Sequence, residues 1–436
     1  MPNWKPMSWR AIRASKLARN TFSMLTGGAI TTALQAAYFV MIARSLGPGQ
    51  YGAFIGVAAL IAVLSPFSAM GVGTVLVKDV SRDRRCFPES LGNALLTTGA
   101  LGLILLILVL IASPFILSAK VPVALVCLVG VSDLIFGGLV SLASLAFQAL
   151  EMLGKTALVR AIQSGIRALA ALVMLVWFSH PSAVSWAVLY LGGSIAAAAY
   201  ALWIVFRRLG YPRLAPARLR SEMVEGLYFS IGVSSTAVYN NMDKPLLVRL
   251  GTLDAAGFYG IAYRVVDFAF QPVGALQASA FSKYFQHGSR GITNSVRYAR
   301  RLLLMGAGYG IVAGVALFFG APLFPYIFGR QFAGSEEVLR WLSPLVFLRA
   351  CHYCYSNAMT GADFQGLRNC IQVVVAVLNV ALNIWLIPRY SWRGAAWASL
   401  VSDGLLVLST WAATLILSAR IAPQGRASGL QPENTA

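Results

Sequence analysis

Four cations stand in stretches that are otherwise soluble only in lipid. Arg167, Lys244, Arg264 and Arg349 fall inside four separate apolar runs. A charge at the bilayer midplane costs at least ~2.5 kcal/mol even on the mildest insertion scale, so these side chains must face protein or water. Arginine's planar fork of donors matches the oxygens of a phosphate. A cavity lined by these four, with Arg44 at the end of the first apolar run, suits an anion too polar to cross lipid unaided. Acids accompany the cations: Asp243 precedes Lys244 in YNNMDKPLLVRLG (239–251), and Asp267 follows Arg264 by one turn. Either acid could take up a proton or a sodium ion and couple binding to a gradient. An acid among cations tends to stay ionised, which favours the metal cation over the proton.

Helical spacing groups further polar residues on single faces. Arg264, Asp267 and Gln271 are spaced three then four, beside Tyr263; Arg160, Gln163 and Arg167 repeat that spacing. Arg349, Tyr353, Ser356 and Thr360 form one stripe with His352 adjoining, and Thr31, Gln35 and Tyr38 another. The polar lining expected of a cavity is therefore Asn240, Gln35, Tyr38, Gln271 and Tyr353. Structural roles compete with this. Asn379 and Asn383, one turn apart, fit hydrogen-bond glue between helices. Arg264 and Asp267 could form a structural pair. Asp243 and Lys244 point about 100° apart around a helix and need not neutralise each other. Asp133 and Asp403 sit among small residues and read as packing. Cys351 and Cys354 have the spacing of a metal or redox pair. Within an apolar helix and with no second pair, they fit small apolar residues better, so no metal or cofactor is expected.

These side chains need helices that cross a membrane. Of 436 residues, 58% are apolar and 11% charged, against about a quarter charged in a soluble domain; the mean hydropathy is +0.70. A spanning helix needs about 20 apolar residues. That ruler gives twelve, at roughly 20–43, 52–77, 91–117, 121–149, 156–178, 183–206, 225–250, 255–282, 302–328, 338–361, 366–387 and 393–418. The loops leave no room for a soluble catalytic domain, and no cleavable signal peptide is evident in the basic N-terminus. The net charge of +20 invites a nucleic-acid partner, but the distribution argues for orientation instead. With both termini cytoplasmic, 24 of the 35 Lys and Arg fall on the inner side, seven on the outer side and four within spans, the bias of a topogenic signal.

The basic loop 207–224 divides the spans six and six, giving bundles 1–206 and 225–418 with a polar, disordered tail at 419–436. A short repeat supports two halves. ARSLGPGQYGAF after the first span and VRLGTLDAAGFYG after the seventh both read Arg, Leu-Gly, turn residues, then Tyr-Gly: Arg44 with Arg249, Gly47 with Gly251, Tyr51-Gly52 with Tyr259-Gly260. Transporters use paired halves with the substrate site between them near the midplane.

ARSLGPGQYGAF, then GVGTVLVKDVSRD after the second span, resembles the start of Wzx-like polysaccharide flippases of the multidrug/oligosaccharidyl-lipid/polysaccharide exporter superfamily. The span count and the Tyr-Gly repeat extend the likeness over most of the chain. The resemblance implies an all-α fold of two six-helix bundles in a V, here with a cationic cavity, in the bacterial inner membrane. It also implies alternating access, driven by an ion gradient, that moves undecaprenyl-pyrophosphate-linked sugar repeat units to the outer leaflet. Polymerases or glycosyltransferases are the protein partners it suggests. A multidrug antiporter of the same superfamily is the main alternative, although an acidic pocket would be expected of it. A membrane enzyme fits less well, because neither paired carboxylates nor a nucleophile–base pair is evident.

Overall fold

Twelve apolar runs require twelve helical segments, because only a helix satisfies its own backbone in lipid without closing into a barrel. The computed structural model describes residues 16–421, which are helical throughout apart from short turns. The basic N-terminal stretch to residue 15, and the expected tail beyond residue 421, lie outside the described residues.

Every expected span falls on helix. The first two merge into Lys16–Ser65, a π-helical turn at Pro66–Met70, and Gly71–Arg82. The break between them is at Gly47, whose φ of 72° lies in the left-handed region, followed by Pro48. Glycine enters that region without the steric cost a Cβ would carry. Phe87–Ile116, Val123–Ala149, Leu153–Trp177 and Ala183–Leu209 supply spans three to six. The seventh is two pieces, Pro216–Asn241 and Asp243–Leu250, and the eighth is Leu253–Gly288. Ile292–Gly320 and Ser335–Leu342 lead to Leu345–Gly361, and Gln365–Tyr390 and Trp392–Ile421 complete the order.

Among the described residues, eight segments are long and apolar enough to cross a membrane by themselves, and the first, Thr26–Arg82, contains two spans. The three spans that fall short, near 225–250, 255–282 and 338–361, are those that carry Asp243 and Lys244, Arg264 and Asp267, and Arg349. Polar residues interrupt the first two, and the third rests on a helix of only 17 residues, Leu345–Gly361, so packing rather than hydropathy must hold them at membrane depth. Lipid-facing surface is plain elsewhere: Phe115, Trp177 and Phe319 are 78%, 78% and 75% exposed.

The chain forms two compact units, Met1–Arg249 and Leu250–Ala436. The boundary falls after the seventh span, whereas the sequence repeat divides the chain at 207–224. The reason is local. Pro216–Asn241 packs along Gly71–Arg82 in the first unit, so closely that a Cβ on Gly71 would fall on the Gly226 carbonyl. The core of the first unit gathers Val72, Leu76, Phe87, Leu91 and Phe147. In the second, Leu345–Gly361 is the central helix, packed on Leu253–Gly288, Ile292–Gly320 and Trp392–Ile421, with Tyr284, Ile292, Val296 and Ala358 in its core. The repeated tyrosines Tyr51 and Tyr259 are both fully buried, one in each unit.

Candidate functional site: buried ion pairs in the polar spans

In the second unit, three helices converge on Arg349. Its Nη1 donates to Asp267 Oδ1 at 2.9 Å, its Nη2 donates to the Tyr263 hydroxyl, and its Nε stands 3.8 Å from Asp403 Oδ2. The guanidinium also lies over the Tyr263 ring, 4.8 Å from the centroid. Tyr263 and Asp267 are one turn apart on Leu253–Gly288, so a single helix face presents both. Asp403 arrives from Trp392–Ile421. The Arg349 side chain is 7% exposed and that of Asp403 1%, whereas Asp267 is 35% exposed.

A related centre sits in the first unit. Arg167 Nη2 donates to Asp133 Oδ1 at 3.1 Å, and the Tyr190 hydroxyl donates to the same oxygen at 2.7 Å. The guanidinium lies 4.5 Å from the Tyr190 ring centroid, and Tyr38 flanks it. Asp133 is carried by the π-helical segment Val131–Gly137, where the widened turn re-aims side chains relative to a regular helix.

The third group explains YNNMDKP. Pro245 has no N–H for the carbonyl four residues earlier, so the helix must break near Asn241. The Lys244 N–H bonds its neighbour's carboxylate, Asp243 Oδ1, at 2.9 Å, and Lys244 Nζ supplies the Asn240 carbonyl at 2.8 Å. Nζ also meets Asp243 Oδ1 at 3.0 Å, with both side chains under 10% exposed. The two charges therefore do neutralise each other, contrary to the angular expectation. A side chain as long as lysine folds back across 100° to reach its neighbour, and two opposite charges in a dry site have strong reason to meet.

The expected site residues are thus brought together only in part. Arg349 joins Asp267, Lys244 joins Asp243 and the Asn240 backbone, and Arg167 lies by Tyr38. Arg264 is half-buried, one turn before Asp267; Tyr353 packs on Phe270 at 5.2 Å. Gln35 is half-buried on the first helix, whereas Arg44 and Gln271 are exposed. Asn383 donates to the Asn379 side chain, and Asn379 donates to Ser402 on another helix, a helix–helix contact as the spacing suggests. Asp133 and Asp403, expected to be packing residues, are counter-ions instead. A lone carboxylate in an apolar span with no cation on its own helix face must find one on another helix, and that signal could have marked both. Cys354 accepts from Gln277 Nε2 at 2.8 Å, inside a buried hub that includes Tyr284 and Asn357.

The sequence profile of a family described as polysaccharide biosynthesis protein matches residues 17–275, more than half of the chain. A probable low-salt glycan biosynthesis flippase, Agl15 of Haloferax volcanii, is 27% identical over 172 residues. That stretch covers 38% of this chain and 35% of Agl15, so the chain matches about a third of its relative's length. Among solved structures, an inward-facing multidrug resistance MATE family transporter of the MOP superfamily superposes with a TM-score of 0.72 at 14% identity, covering 91% of this chain and 99% of that one. The lipid II flippase MurJ, in an inward closed conformation, gives 0.72 at 13% identity, with 91% and 87% covered. At such identities the likeness is one of fold: an all-α polytopic transporter fold, as the spans and the resemblance imply.

Proposed function

Because the chain belongs to the polysaccharide biosynthesis protein family, we propose that it is a flippase for a lipid-linked oligosaccharide. It carries sugar repeat units on undecaprenyl phosphate or pyrophosphate from the cytoplasmic to the outer leaflet of a bacterial inner membrane. Both termini are cytoplasmic, and two six-span halves about 207–224 alternate access. A proton or sodium gradient drives the cycle, and a polymerase or glycosyltransferase works alongside.

The observation that carries this proposal is Arg349, held at membrane depth by Asp267 and Tyr263. A phosphate oxygen competes with the Asp267 carboxylate for the Nη1 donor. Once displaced, Asp267 lacks its counter-ion and gains affinity for a proton or sodium ion. Anion binding and cation binding are thereby linked, and linkage of this kind is reciprocal. Arg264 and Arg44 add positive potential; Arg167 and Lys244 add theirs once Asp133 and Asp243 are displaced or neutralised, which makes Asp243 the second coupling candidate. Asn240, Gln35, Tyr38, Gln271 and Tyr353 supply polar lining for the head group.

The test is leaflet exposure in liposomes: a polyprenyl-pyrophosphate oligosaccharide is loaded, and its access to an external glycosidase is followed with and without an ion gradient. Transport by the intact protein that fails with Arg264→Ala and Arg349→Ala together supports the proposal. Full transport by that double variant would overturn the site. One observation favours a second function, a multidrug antiporter: among the described residues Arg167, Lys244 and Arg349 are each matched by an acid, which lowers the positive potential at depth. Gradient-driven efflux of an amphipathic cation, with no lipid-linked sugar moved, would establish it.

A further inference from the structure

Helices Phe87–Ile116 and Pro216–Asn241 are tied together at their basic ends. Asn93 Nδ2 donates to Glu222 Oε2 at 2.9 Å, and its Oδ1 accepts from the Ala215 N–H at 3.0 Å. Beyond that tie, these helices and the Pro66–Met70 turn border an apolar groove of about 360 Å³. Leu101 and Ile104 line one wall, Met223, Val224 and Leu227 the other, and Phe67 lines the turn side. Ile104, Val224 and Leu227 are 57%, 52% and 54% exposed, so the groove opens sideways onto lipid.

Its depth is that of one leaflet. Leu101 and Leu105 follow Asn93 by eight and twelve residues, roughly 12–18 Å along a helix that rises 1.5 Å per residue. Half of a hydrocarbon core ~30 Å thick spans a similar distance. The mouth carries Arg220, three and four residues before Met223 and Val224, a spacing that puts all three on one helix face. Its neighbours are already engaged: Lys78 pairs with Glu225, and Arg218 reaches Asp79 at 2.9 Å. Arg220 is exposed, and no ion pair engages it among the described residues. Exposed Arg82, Arg84 and Arg85 add to the positive field of the same face.

We propose that this groove binds an anionic glycerophospholipid, with one acyl chain between Ile104 and Leu227 and the phosphate at Arg220. A single acyl chain matches the one-leaflet depth, whereas a polyprenyl chain is far longer than the groove. The cation at the mouth selects an anionic head group over a zwitterionic one, as basic pockets between spanning helices do. A partner helix is disfavoured, because close helix approach in lipid calls for small residues; the exposed Ile104, Val224 and Leu227 are large, and the small Gly226 and Ser230 are already packed against Val72 and Pro66. The bound lipid braces Pro216–Asn241, the helix that carries Asn240, against the rest of the first unit.

The test uses the full chain in phosphatidylcholine vesicles containing trace phosphatidylglycerol or phosphatidylcholine with a nitroxide on one acyl chain, read by electron paramagnetic resonance. The immobilised fraction should favour phosphatidylglycerol, and Arg220→Gln should reduce that preference about fivefold, the worth of one basic residue near an anionic group. Leu227→Trp fills the groove and should remove the immobilised acyl signal, whereas Arg290→Gln, on the other unit, should change nothing. Both altered side chains in the groove are exposed, and a preserved helical circular dichroism spectrum establishes folding. Equal immobilisation of the two lipids, or a preference that survives Arg220→Gln and Leu227→Trp, would overturn the proposal. So would displacement of the labelled phosphatidylglycerol by an equimolar polyprenyl phosphate, which would assign the groove to that lipid.

Discussion

Arg349 and Asp403 come from different helices and meet in a dry site, with 3.8 Å between Nε and Oδ2 and side chains 7% and 1% exposed. Asp267 takes the other edge of the same guanidinium at 2.9 Å. One cation is thus shared by two carboxylates, one closed off and one about a third exposed. The closed carboxylate anchors the arginine, and the more exposed one can be exchanged for another anion. A site of this kind is a switch only if the anchor survives the exchange.

Removing Arg349 therefore costs stability and transport through different partners. Arg349→Ala leaves Asp403 buried without its counter-ion, and breaking a buried pair costs about 3–5 kcal/mol. Arg349→Met combined with Asp403→Asn should restore most of the thermal midpoint measured in detergent, but not lipid-linked sugar transport in liposomes. Recovery of transport in the double variant would make Arg349 a structural residue.

Asp267→Asn should separate the two anions that compete for Arg349. The variant keeps an oxygen for the Nη1 donor but no charge, so an incoming phosphate displaces it more easily. Substrate affinity should rise, and transport should lose its response to a proton or sodium gradient. A rate that still follows the gradient as in the intact protein moves the coupling to another acid, Asp243 foremost.

The membrane class, the helix count and the polar spans were legible from composition and period, because the cost of burying polar groups in lipid leaves little freedom. Arg349, Lys244 and Arg167 were legible as buried cations for the same reason. Their partners were not. The 3.6-residue period places a side chain on a face of its own helix and says nothing of the helix opposite, so Asp133 and Asp403 read as packing. Asp243 and Lys244 were misjudged on another ground, since the angle between Cα–Cβ vectors ignores the reach of a lysine. The unit boundary at Arg249 was hidden too, because the close approach of Gly71 to Gly226 depends on two glycines over 150 residues apart.

Lys244 stabilises a helix break and a carboxylate together. Lys244→Met leaves the Asn240 carbonyl without its donor and Asp243 buried without its counter-ion, an expected loss of about 3–5 kcal/mol. Adding Asp243→Asn should recover the larger part, since the remaining defect is one unmade hydrogen bond worth about 1 kcal/mol. Thermal midpoints of the two variants in the same detergent decide this. If both are equally unstable, the loss comes from the helix break and not from the ion pair.

Glu222 gives the fold a pH dependence outside the expected span at 225–250. Its side chain is 5% exposed, with Asn93 donating to Oε2 and Arg218 Nε 3.6 Å from Oε1. Burial pushes the carboxyl above the usual carboxylate range, and the Asn93 bond and the Arg218 charge oppose that shift only in part. A carboxyl with a higher pKa in the folded protein than in the unfolded chain stabilises the fold while protonated; that contribution disappears as pH rises through the folded value. Glu222→Gln keeps an oxygen for Asn93 and removes the buried charge. The variant should therefore be the more stable protein at pH 8, and its advantage should shrink towards zero as pH falls to the ordinary glutamate value of about 4.3. Thermal midpoints of both proteins across that range measure the gap. A gap that stays constant, or one that widens on acidification, would mean that Glu222 folds as a well-compensated carboxylate and that Arg218, not burial, governs its charge.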